Sequence, residues 1–341
     1  MTGLLSDLTT LRVGGPAMSV VVAESEDELV DAVRGADSRG EPVLVLGGGS
    51  NVVISDDGLP GLLVLIRTRG IAVSTDACSG AWVSVAAGES WDDLVVRAVE
   101  EGWSGIEALS GIPGLVGATP VQNVGAYGQE VAETVARVRA YDRTVGDIVV
   151  LPVGECGFGY RTSRFKAEPE RYVVLAVDFQ LPLATLSAPV RYAELAARLG
   201  VEMGARVPAG DVREAVLALR RGKGMVLDPE DHDTWSVGSF FTNPVLPAGS
   251  PLPQSAAAWT QADGSVKVSA AWLVEQAGFP RGFTLDGRAA LSSRHCLAIV
   301  NRGGASARDV LDVARVVRDG VRARFGIDLV PEPVLVGCSL D

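Results

Sequence analysis

The stretch Val43-Leu-Val-Leu-Gly-Gly-Gly-Ser-Asn51 places a short apolar strand directly before three consecutive glycines. Glycines let successive backbone N–H groups converge on an anion, so this turn is a candidate phosphate-binding loop. It is neither a GxGxxG motif nor a Walker A loop, because no Lys-Ser or Lys-Thr pair follows the glycines. The sequence therefore disfavours the standard folds that bind dinucleotides or nucleoside triphosphates. Taken alone, such a segment is more often a tight turn than a phosphate site.

Two further glycine clusters favour the phosphate interpretation. One is Arg12-Val-Gly-Gly15 upstream, and the other, downstream, is Ser110-Gly-Ile-Pro-Gly-Leu-Val-Gly117 followed by Gln122-Asn-Val-Gly-Ala-Tyr-Gly128. The region from 105 to 128 is too irregular for a helix or strand and too apolar for a solvated linker, which predicts a loop packed on a ligand. Three such loops at the ends of predicted strands would wrap a large, flat, phosphate-bearing ligand. A flavin dinucleotide fits that description better than a small metabolite does.

Helix and strand signals alternate around these loops. Ser25-Glu-Asp-Glu28 is typical of a capping box that opens a helix, and Gly40 closes it. Ser90 caps a second helix that Gly102 ends. Later segments with clear patterns are predicted helices over Asp211–Arg220, Ser269–Ala277 and Ala307–Phe325 and a surface loop over Val245–Pro253. The pattern predicts an α+β fold with a cofactor half followed by a substrate half.

Composition narrows the class of protein. The 341 residues carry a net charge of −12, and an acidic surface disfavours nucleic acid as a partner. The four cysteines stand far apart with no CxxC pair, which predicts neither a disulfide framework nor a metal site. The first residues lack a basic segment followed by an apolar one, and no apolar run approaches the length of a membrane span. These features predict a cytoplasmic protein with no membrane partner.

Three segments carry residues suited to chemistry. Tyr160-Arg161-Thr-Ser-Arg-Phe-Lys166 is either a solvated basic turn or a clamp for a carboxylate or phosphate, for which the arginine fork is well shaped. Ser239, between a glycine and two phenylalanines, is either a proton donor in a dry pocket or an exposed or capping serine. Glu332, bracketed by two prolines, is either paired with a cation or poised for proton transfer. His295 is expected to be a core histidine, and neither histidine suggests a hydrolase triad.

Taken together, the ordered motifs resemble the UDP-N-acetylenolpyruvoylglucosamine reductase (MurB) family over nearly the whole chain. The motifs in the first half are Thr10-Leu-Arg-Val-Gly-Gly15, Leu46-Gly-Gly-Gly-Ser-Asn51, Gly88-Glu-Ser-Trp91, Ile112-Pro-Gly-Leu-Val-Gly117, Gln122-Asn-Val-Gly-Ala-Tyr-Gly128 and Cys156-Gly-Phe-Gly-Tyr-Arg161. Those in the second half are Gly238-Ser-Phe-Phe241, Gln261-Ala-Asp-Gly-Ser-Val-Lys267, Ala270-Ala-Trp-Leu273 and Pro331-Glu-Pro333. Each piece is weak alone, and their order and spacing make the resemblance specific.

The resemblance implies a fold and an activity. The fold would be α+β, with a two-lobed FAD-binding domain of the vanillyl-alcohol-oxidase/PCMH type over 1–185 and a substrate-binding domain over 186–341 whose C-terminal strand returns Glu332 to the active site. FAD would be bound non-covalently, with NADPH as the reductant. The substrate would be UDP-N-acetylglucosamine enolpyruvate and the product UDP-N-acetylmuramate, a precursor in peptidoglycan synthesis. We expect a monomer with no metal.

Residue roles follow from the same matching. The catalytic positions are Arg161, Ser239 and Glu332. The FAD contacts are assigned to Arg12, Gly47, Gly48, Gly49, Ser50, Asn51, Gly111, Gly114, Gly117, Gln122, Asn123, Gly125 and Ala126. The substrate contacts are assigned to Tyr160, Tyr192, Lys223, Asn243, Trp259 and Lys267. Tyr192 matches the mobile-loop tyrosine of the longer-chain subgroup, and Trp259 departs from the family by standing where a relative carries tyrosine.

Two other functions remain open at this point. A flavin oxidase of an alcohol or hydroxy acid would share the fold, although many such enzymes tether flavin to a histidine in the first half, and here the first histidine is residue 232. A non-catalytic UDP-sugar-binding protein is the alternative from another class. The presence of an arginine, a serine and a glutamate in the three expected motifs argues for activity. With no separate nicotinamide motif, NADPH and the UDP-sugar are expected to take turns at one flavin face.

Overall fold

The computed structural model describes residues 3–341, which divide into two compact units. Over these residues the α-helices are α1 Glu26–Ser38, α2 Trp91–Glu100, α3 Arg164–Ala167, α4 Ala193–Leu199, α5 Ala209–Gly222, α6 Ala270–Gln276 and α7 Ala307–Phe325. The strands of the first half are β1 Ala17–Ala23, β2 Val43–Leu46, β3 Val52–Ile54, β4 Leu59–Ile66, β5 Ile71–Asp76, β6 Gly80–Ala86, β7 Gly125–Ala126, β8 Gln129–Glu130, β9 Val135–Asp142, β10 Asp147–Pro152 and β11 Tyr172–Leu181. The remaining strands are β12 Val245–Leu246, β13 Ala258–Thr260, β14 Val266–Val268, β15 Ala289–Leu291, β16 Ile299–Asn301 and β17 Val334–Val336.

The first unit comprises residues 18–48 and 60–222. A three-stranded sheet in the order β1-β4-β2 has β2 and β4 parallel, and a five-stranded sheet in the order β10-β9-β11-β6-β5 is antiparallel. One apolar core joins the two sheets, with Leu29 of α1, Val64 of β4, Val83 of β6 and Trp91 of α2 all buried. Strand β2, which ends directly before Gly47, is therefore held by its pairing with β4 and by this core.

Local capping explains where the helices begin and end. Ser25 accepts the backbone N–H of Glu28, and the Glu28 carboxylate accepts the Ser25 N–H, so the predicted capping box is confirmed. Ser90 caps α2 by accepting the N–H of Asp93. The predicted helix Ala307–Phe325 is confirmed over its whole length, since Ser306 caps its start and Gly326, in the left-handed conformation, ends it.

The second unit comprises residues 3–17, 49–59 and 223–341. Its core packs α6 and α7 against short strands, with Leu273, Val317 and Phe240 fully buried. Residues of the N-terminal half belong to it because Asn301 donates to the carbonyls of Leu11 and Arg12 at 3.1 Å, and because β3 pairs in parallel with β17.

This division differs from the predicted domain limits. Residues 186–222 group with the first unit, since a cluster of buried side chains from α4, α5 and Val190 packs on Ala108 and Glu107 accepts the Ala188 N–H at 2.6 Å. Residues 3–17 and 49–59 group with the second. The predicted boundary after 185, as a statement of where substrate binding begins, stays a prediction.

Smaller differences concern single elements. The predicted surface loop over Val245–Pro253 is wrong at its start, because Val245 and Leu246 form β12 on the edge of β14. Among residues 3–341, no helix is long and apolar enough to cross a membrane. The same residues contain no cluster of three or more histidine, cysteine or acidic side chains suited to holding a metal ion.

Candidate active-site residues

Two of the predicted phosphate loops lie side by side in the first unit. A Cβ on Gly48 would lie 2.8 Å from the Cα of Gly114, closer than real Cβ atoms approach other heavy atoms. Gly48 thus needs the bare backbone of glycine, and Gly114 has a positive φ of 118°, which glycine also favours. Gly47, one residue earlier, is less constrained, since its Cβ would lie 3.6 Å from the Leu115 side chain. The cradle of backbone atoms suits a pyrophosphate group, so the residues present fit FAD.

The loop from Gly111 to Gly117 is held by the start of α2 and the strand before it. Trp91 N–H donates to the Gly114 carbonyl at 3.1 Å, and Gly117 N–H donates to the Ala87 carbonyl at 2.9 Å. A Cβ on Gly117 would lie 2.5 Å from the Ala87 Cβ, which explains the glycine there. These contacts fix the loop along its whole length.

An ion pair that sequence reasoning missed holds the first residue of that loop. The carboxylate of Asp92 accepts the Gly111 N–H at 2.6 Å and binds both terminal nitrogens of Arg213 at 2.7 and 2.9 Å. Burial pushes the pKa of Asp92 upward, but the hydrogen bonds from Arg213 and Gly111 outweigh it and hold the pKa below its usual value. The sequence indicated only that Asp92 lies in the first turn of a helix capped by Ser90. It gave no sign of the ion pair, because Arg213 lies 121 residues away along the chain.

Arg161 and its neighbours form a second group in the first unit. Arg161 adopts a left-handed backbone, its guanidinium donates to the Gly125 carbonyl at 2.6 Å, and it lies 5.6 Å from the centre of the Tyr160 ring. Asn123 is buried, and its side chain donates to Glu130 at 2.7 Å and to the Gly159 carbonyl at 3.1 Å. The structure therefore brings the predicted clamp arginine against the predicted Gln122–Ala126 loop. Gln122 is half-buried, and Ala126 pairs with Gln129 in the β7–β8 hairpin.

Tyr192 packs beside this group. Its ring lies 5.4 Å from that of Tyr127 in an edge-to-face arrangement, and it is 43% exposed. Burial raises the pKa of Tyr127 to about 12. The preceding residue, Arg191, pairs with Glu133 at 3.0 Å. An aromatic contact and an exposed ion pair thus hold Tyr192 and Arg191 against other residues of the first unit.

In the second unit, backbone hydrogen bonds bring Ser239 and Glu332 onto neighbouring segments. The N–H of Glu332 donates to the Phe240 carbonyl at 2.8 Å, and Phe241 bridges to Pro331. Phe240 is fully buried, which anchors the serine beside it, whereas Ser239 and Glu332 are half-buried. Asn51 joins the same group, because its side chain donates to the Glu332 carbonyl at 3.4 Å.

His295 also lies at Ser239. Its Nε2 is 3.4 Å from the Ser239 Oγ, and the imidazole is half-buried. The expectation of a core histidine is therefore wrong. Sequence reasoning missed this contact because 56 residues separate the pair and neither segment carries a hydrolase motif.

The other predicted ligand contacts of the second unit are spread over several elements. The Asn243 side-chain oxygen accepts the Ala270 N–H at 2.9 Å, at the start of α6. Trp259 and Lys267 are cross-strand partners on β13 and β14, and the indole is 55% exposed. Lys223 is half-buried and directly follows α5.

Arg12, Gly49 and Ser50 also lie in the second unit. The Arg12 guanidinium lies 5.4 Å from the centre of the Trp235 ring. Arg12 Nε and Trp235 Nε1 are buried N–H donors for which residues 3–341 provide no acceptor, and such donors fit an oxygen-rich ligand. Gly49 has a left-handed backbone, and a Cβ there would lie 2.0 Å from the Leu8 carbonyl oxygen. Ser50 is half-buried just before β3.

Comparison with known proteins gives one consistent result. Residues 228–336 match the family model described as UDP-N-acetylenolpyruvoylglucosamine reductase, C-terminal domain, and residues 17–151 match that of an FAD binding domain. The UDP-N-acetylenolpyruvoylglucosamine reductase of Cutibacterium acnes is 58% identical, covering 98% of this chain and 90% of the relative. That of Salinispora arenicola is 55% identical, covering 98% and 95%. The crystal structure of the MurB enzyme from Thermus caldophilus is 27% identical with a TM-score of 0.67, covering 98% of both chains.

Proposed function

We propose residue roles for the reaction of this chain, which belongs to the UDP-N-acetylenolpyruvoylglucosamine reductase family. Membership makes it an FAD-containing oxidoreductase that uses NADPH to reduce the enolpyruvyl ether of UDP-N-acetylglucosamine enolpyruvate, giving UDP-N-acetylmuramate for peptidoglycan synthesis. This activity replaces both alternatives raised by the sequence, the flavin oxidase and the silent UDP-sugar-binding protein. The roles below rest chiefly on one observation, the hydrogen bond that joins the Ser239 and Glu332 segments through Phe240.

The first role is the holding of FAD. The Gly47–Gly48 and Gly111–Gly117 loops bind the pyrophosphate through backbone atoms other than the N–H groups of Gly111 and Gly117, which already donate to Asp92 and to the Ala87 carbonyl. Gln122, Asn123, Gly125 and Ala126 contribute mainly through backbone atoms, since the Asn123 side chain is already engaged within the protein. Arg12, Gly49, Ser50 and Asn51 are further proposed contacts of FAD. FAD held by these residues would supply the hydride chemistry that links NADPH to the substrate.

The second role is stabilisation of charge on the substrate. Hydride addition to the terminal carbon of the enolpyruvyl group pushes negative charge onto the neighbouring carbon and its carboxylate. Arg161 binds that carboxylate, and its guanidinium is already oriented by the Gly125 carbonyl at 2.6 Å. A preoriented donor of this kind is typically worth about 3–4 kcal/mol in the transition state. Glu332 helps to position and polarise the substrate.

The third role is proton delivery. Ser239 gives its hydroxyl proton to the carbon that has become negatively charged, completing the reduced lactyl ether. Fully buried Phe240 holds the backbone of the neighbouring serine in place. Hydroxyl donation from a fixed position is a form of general acid catalysis.

The remaining assignments concern the UDP-sugar. Tyr160, Tyr192, Lys223, Asn243, Trp259 and Lys267 are proposed to contact it. The exposed indole of Trp259, paired across the strands with Lys267, is suited to stacking on a flat ring such as uracil. NADPH and the UDP-sugar take turns at the flavin, which predicts ping-pong kinetics. We place the reaction in the cytoplasm of a monomeric protein with no nucleic-acid partner, and these points rest on sequence alone.

Ser239→Ala tests the proton-delivery role. Flavin reduction by NADPH delivers no proton to carbon, so we expect this half-reaction to stay near the wild-type rate. Flavin reoxidation by the enolpyruvyl substrate should slow by about 10²–10⁴-fold. Ser239→Cys should retain part of the rate, because a thiol can still donate a proton. Rapid mixing with absorbance at the flavin band measures both steps.

Ser236→Ala is the matched control. Ser236 lies three residues before Ser239 and accepts the Gly238 N–H at 3.1 Å, so its loss affects the same turn without removing the proposed donor. Both half-reactions should change little and equally. Near-normal reoxidation in Ser239→Ala would show that the serine only packs under the phenylalanines, and the proton-delivery role would have to be abandoned.

A further inference from the structure

The contact between Ser239 and His295 is set by the backbone of the second unit. Phe240 N–H donates to the Leu297 carbonyl at 2.7 Å, and Ser239 bridges to Ala298, so the two segments run side by side. The turn before Ala298 is closed by its own N–H, which donates to the His295 carbonyl at 3.1 Å. The His295 N–H donates in turn to the Ser292 hydroxyl at 3.3 Å. Hydrogen bonds of the backbone therefore fix the position of His295 beside Ser239.

Neighbouring side chains point elsewhere. The Cys296 thiol contacts the Ala271 carbonyl at 3.7 Å, in α6, and Arg294 pairs with Asp231 at 2.5 Å and Asp233 at 3.5 Å. Within Arg294–Cys296, it is the side chain of His295 that contacts Ser239. An Oγ–Nε2 separation of 3.4 Å is long for a hydrogen bond, but catalytic hydrogen bonds are often long before substrate binds.

Proton delivery by a serine raises a requirement that Ser239 cannot meet alone. Its O–H must point at the substrate carbon, so a lone pair of Oγ is left for a donor on the other side. After the proton leaves, the serine oxygen is an alkoxide, which is a strong base. Another proton must reach it before the next turnover. A side chain that donates to Oγ and can release a proton satisfies both needs.

We propose that His295 is the proton relay of Ser239. In the relay His295 is the imidazolium, with a proton on each ring nitrogen, and Nε2–H donates to Oγ. As the Ser239 O–H bond breaks and the new C–H bond forms on the substrate, the Nε2 proton passes to Oγ. Ser239 is thereby restored, and the neutral imidazole that remains recovers a proton from solvent. No electrons move in this step, and the overall reaction consumes one solvent proton per turnover. The inference rests on the proposed role of Ser239 as proton donor.

His295→Ala and His295→Gln test the relay. Glutamine can donate a hydrogen bond to Oγ but cannot pass on a proton, so it separates relay from simple orientation. We expect both variants to slow flavin reoxidation by about 10²-fold, while flavin reduction by NADPH stays within about twofold of wild type. Added imidazole should partly restore reoxidation in His295→Ala in a concentration-dependent manner. Unchanged flavin absorbance and unchanged reduction rates report that the fold is intact.

His232→Gln is the matched control, because it changes the other histidine of the same unit, whose Nδ1 contacts the Arg302 carbonyl at 3.1 Å. It should leave reoxidation unchanged. Reoxidation of His295→Gln within about threefold of wild type, or equal losses in both half-reactions, would overturn the relay. Ser239→Ala, measured alongside, separates the two ideas. A slow Ser239→Ala with a fast His295→Gln refutes the relay alone, and a fast Ser239→Ala refutes the donor role on which it rests.

Discussion

Alanine at Gly48 tests whether the two glycine loops must approach through bare backbone. Its Cβ would lie 2.8 Å from the Gly114 Cα, and because the obstructing atom is backbone, the loops themselves must separate. Overpacking of this kind costs about 1–3 kcal/mol, which for a unit of this size corresponds to a melting temperature lower by about 3–9 °C. Separated loops would also bind the pyrophosphate less well, so we expect the Kd for FAD to rise about tenfold or more. Thermal unfolding and flavin fluorescence titration measure the two effects.

Gly47→Ala provides the comparison at the next residue. Its Cβ would lie 3.6 Å from the nearest atoms of Leu115, an ordinary contact with a side chain that can adjust. The melting temperature without added cofactor should therefore change little. Equal melting temperatures for the two variants would refute the argument that backbone contact between the loops makes Gly48 necessary.

Three further predictions address the cofactor, the substrate and the fold. Acid or heat precipitation should release all the flavin into the supernatant, since the first half has no histidine to tether it, and flavin retained on the pellet would contradict this. Lys223→Ala should weaken UDP-sugar reduction more than flavin reduction by NADPH in rapid mixing, whereas equal losses would mean a general structural role. Asp92→Asn should cost about 1–2 kcal/mol at pH 7, less than for a fully buried pair because a third of the Asp92 side chain is exposed. Since the pKa of Asp92 is lowered in the fold, this stabilisation is present above the unfolded pKa and is lost as pH falls through the folded pKa, so urea unfolding should show a smaller difference between variant and wild type in acid.

Local signals were sufficient for five of the helices described over residues 3–341 and for the glycine clusters, whereas α3 and α4 were not predicted. The capping box at Ser25, the strand Val43–Leu46 and the helix Ala307–Phe325 were all predicted from the chain and confirmed. Each depends on interactions within a few residues, such as a side chain that caps an adjacent N–H or an apolar face repeated at helical spacing. Glycine clusters can also be recognised from the sequence. The loop that packs against each cluster cannot.

Local signals did not predict which segments of the chain make up each unit. Residues 3–17 join the second unit through hydrogen bonds such as Asn301 to Leu11, which spans 290 residues, and the β3–β17 pair joins Val52–Ile54 to Val334–Val336. Short strands of this kind carry no distinct local pattern, and the edge strand Val245–Leu246 was mistaken for loop for the same reason. Their formation depends on partners that fold elsewhere in the chain.

By itself, the sequence determined the family, the cofactor and the motif residues, because their order along the chain is a property of the chain. Only the tertiary structure decided which atoms meet. It attached Arg213 to Asp92 behind the Gly111 loop, and it set the His295 imidazole beside Ser239. Both contacts join segments more than 50 residues apart, and at such separations position is set by the packing of whole elements and not by the neighbouring residues in the chain.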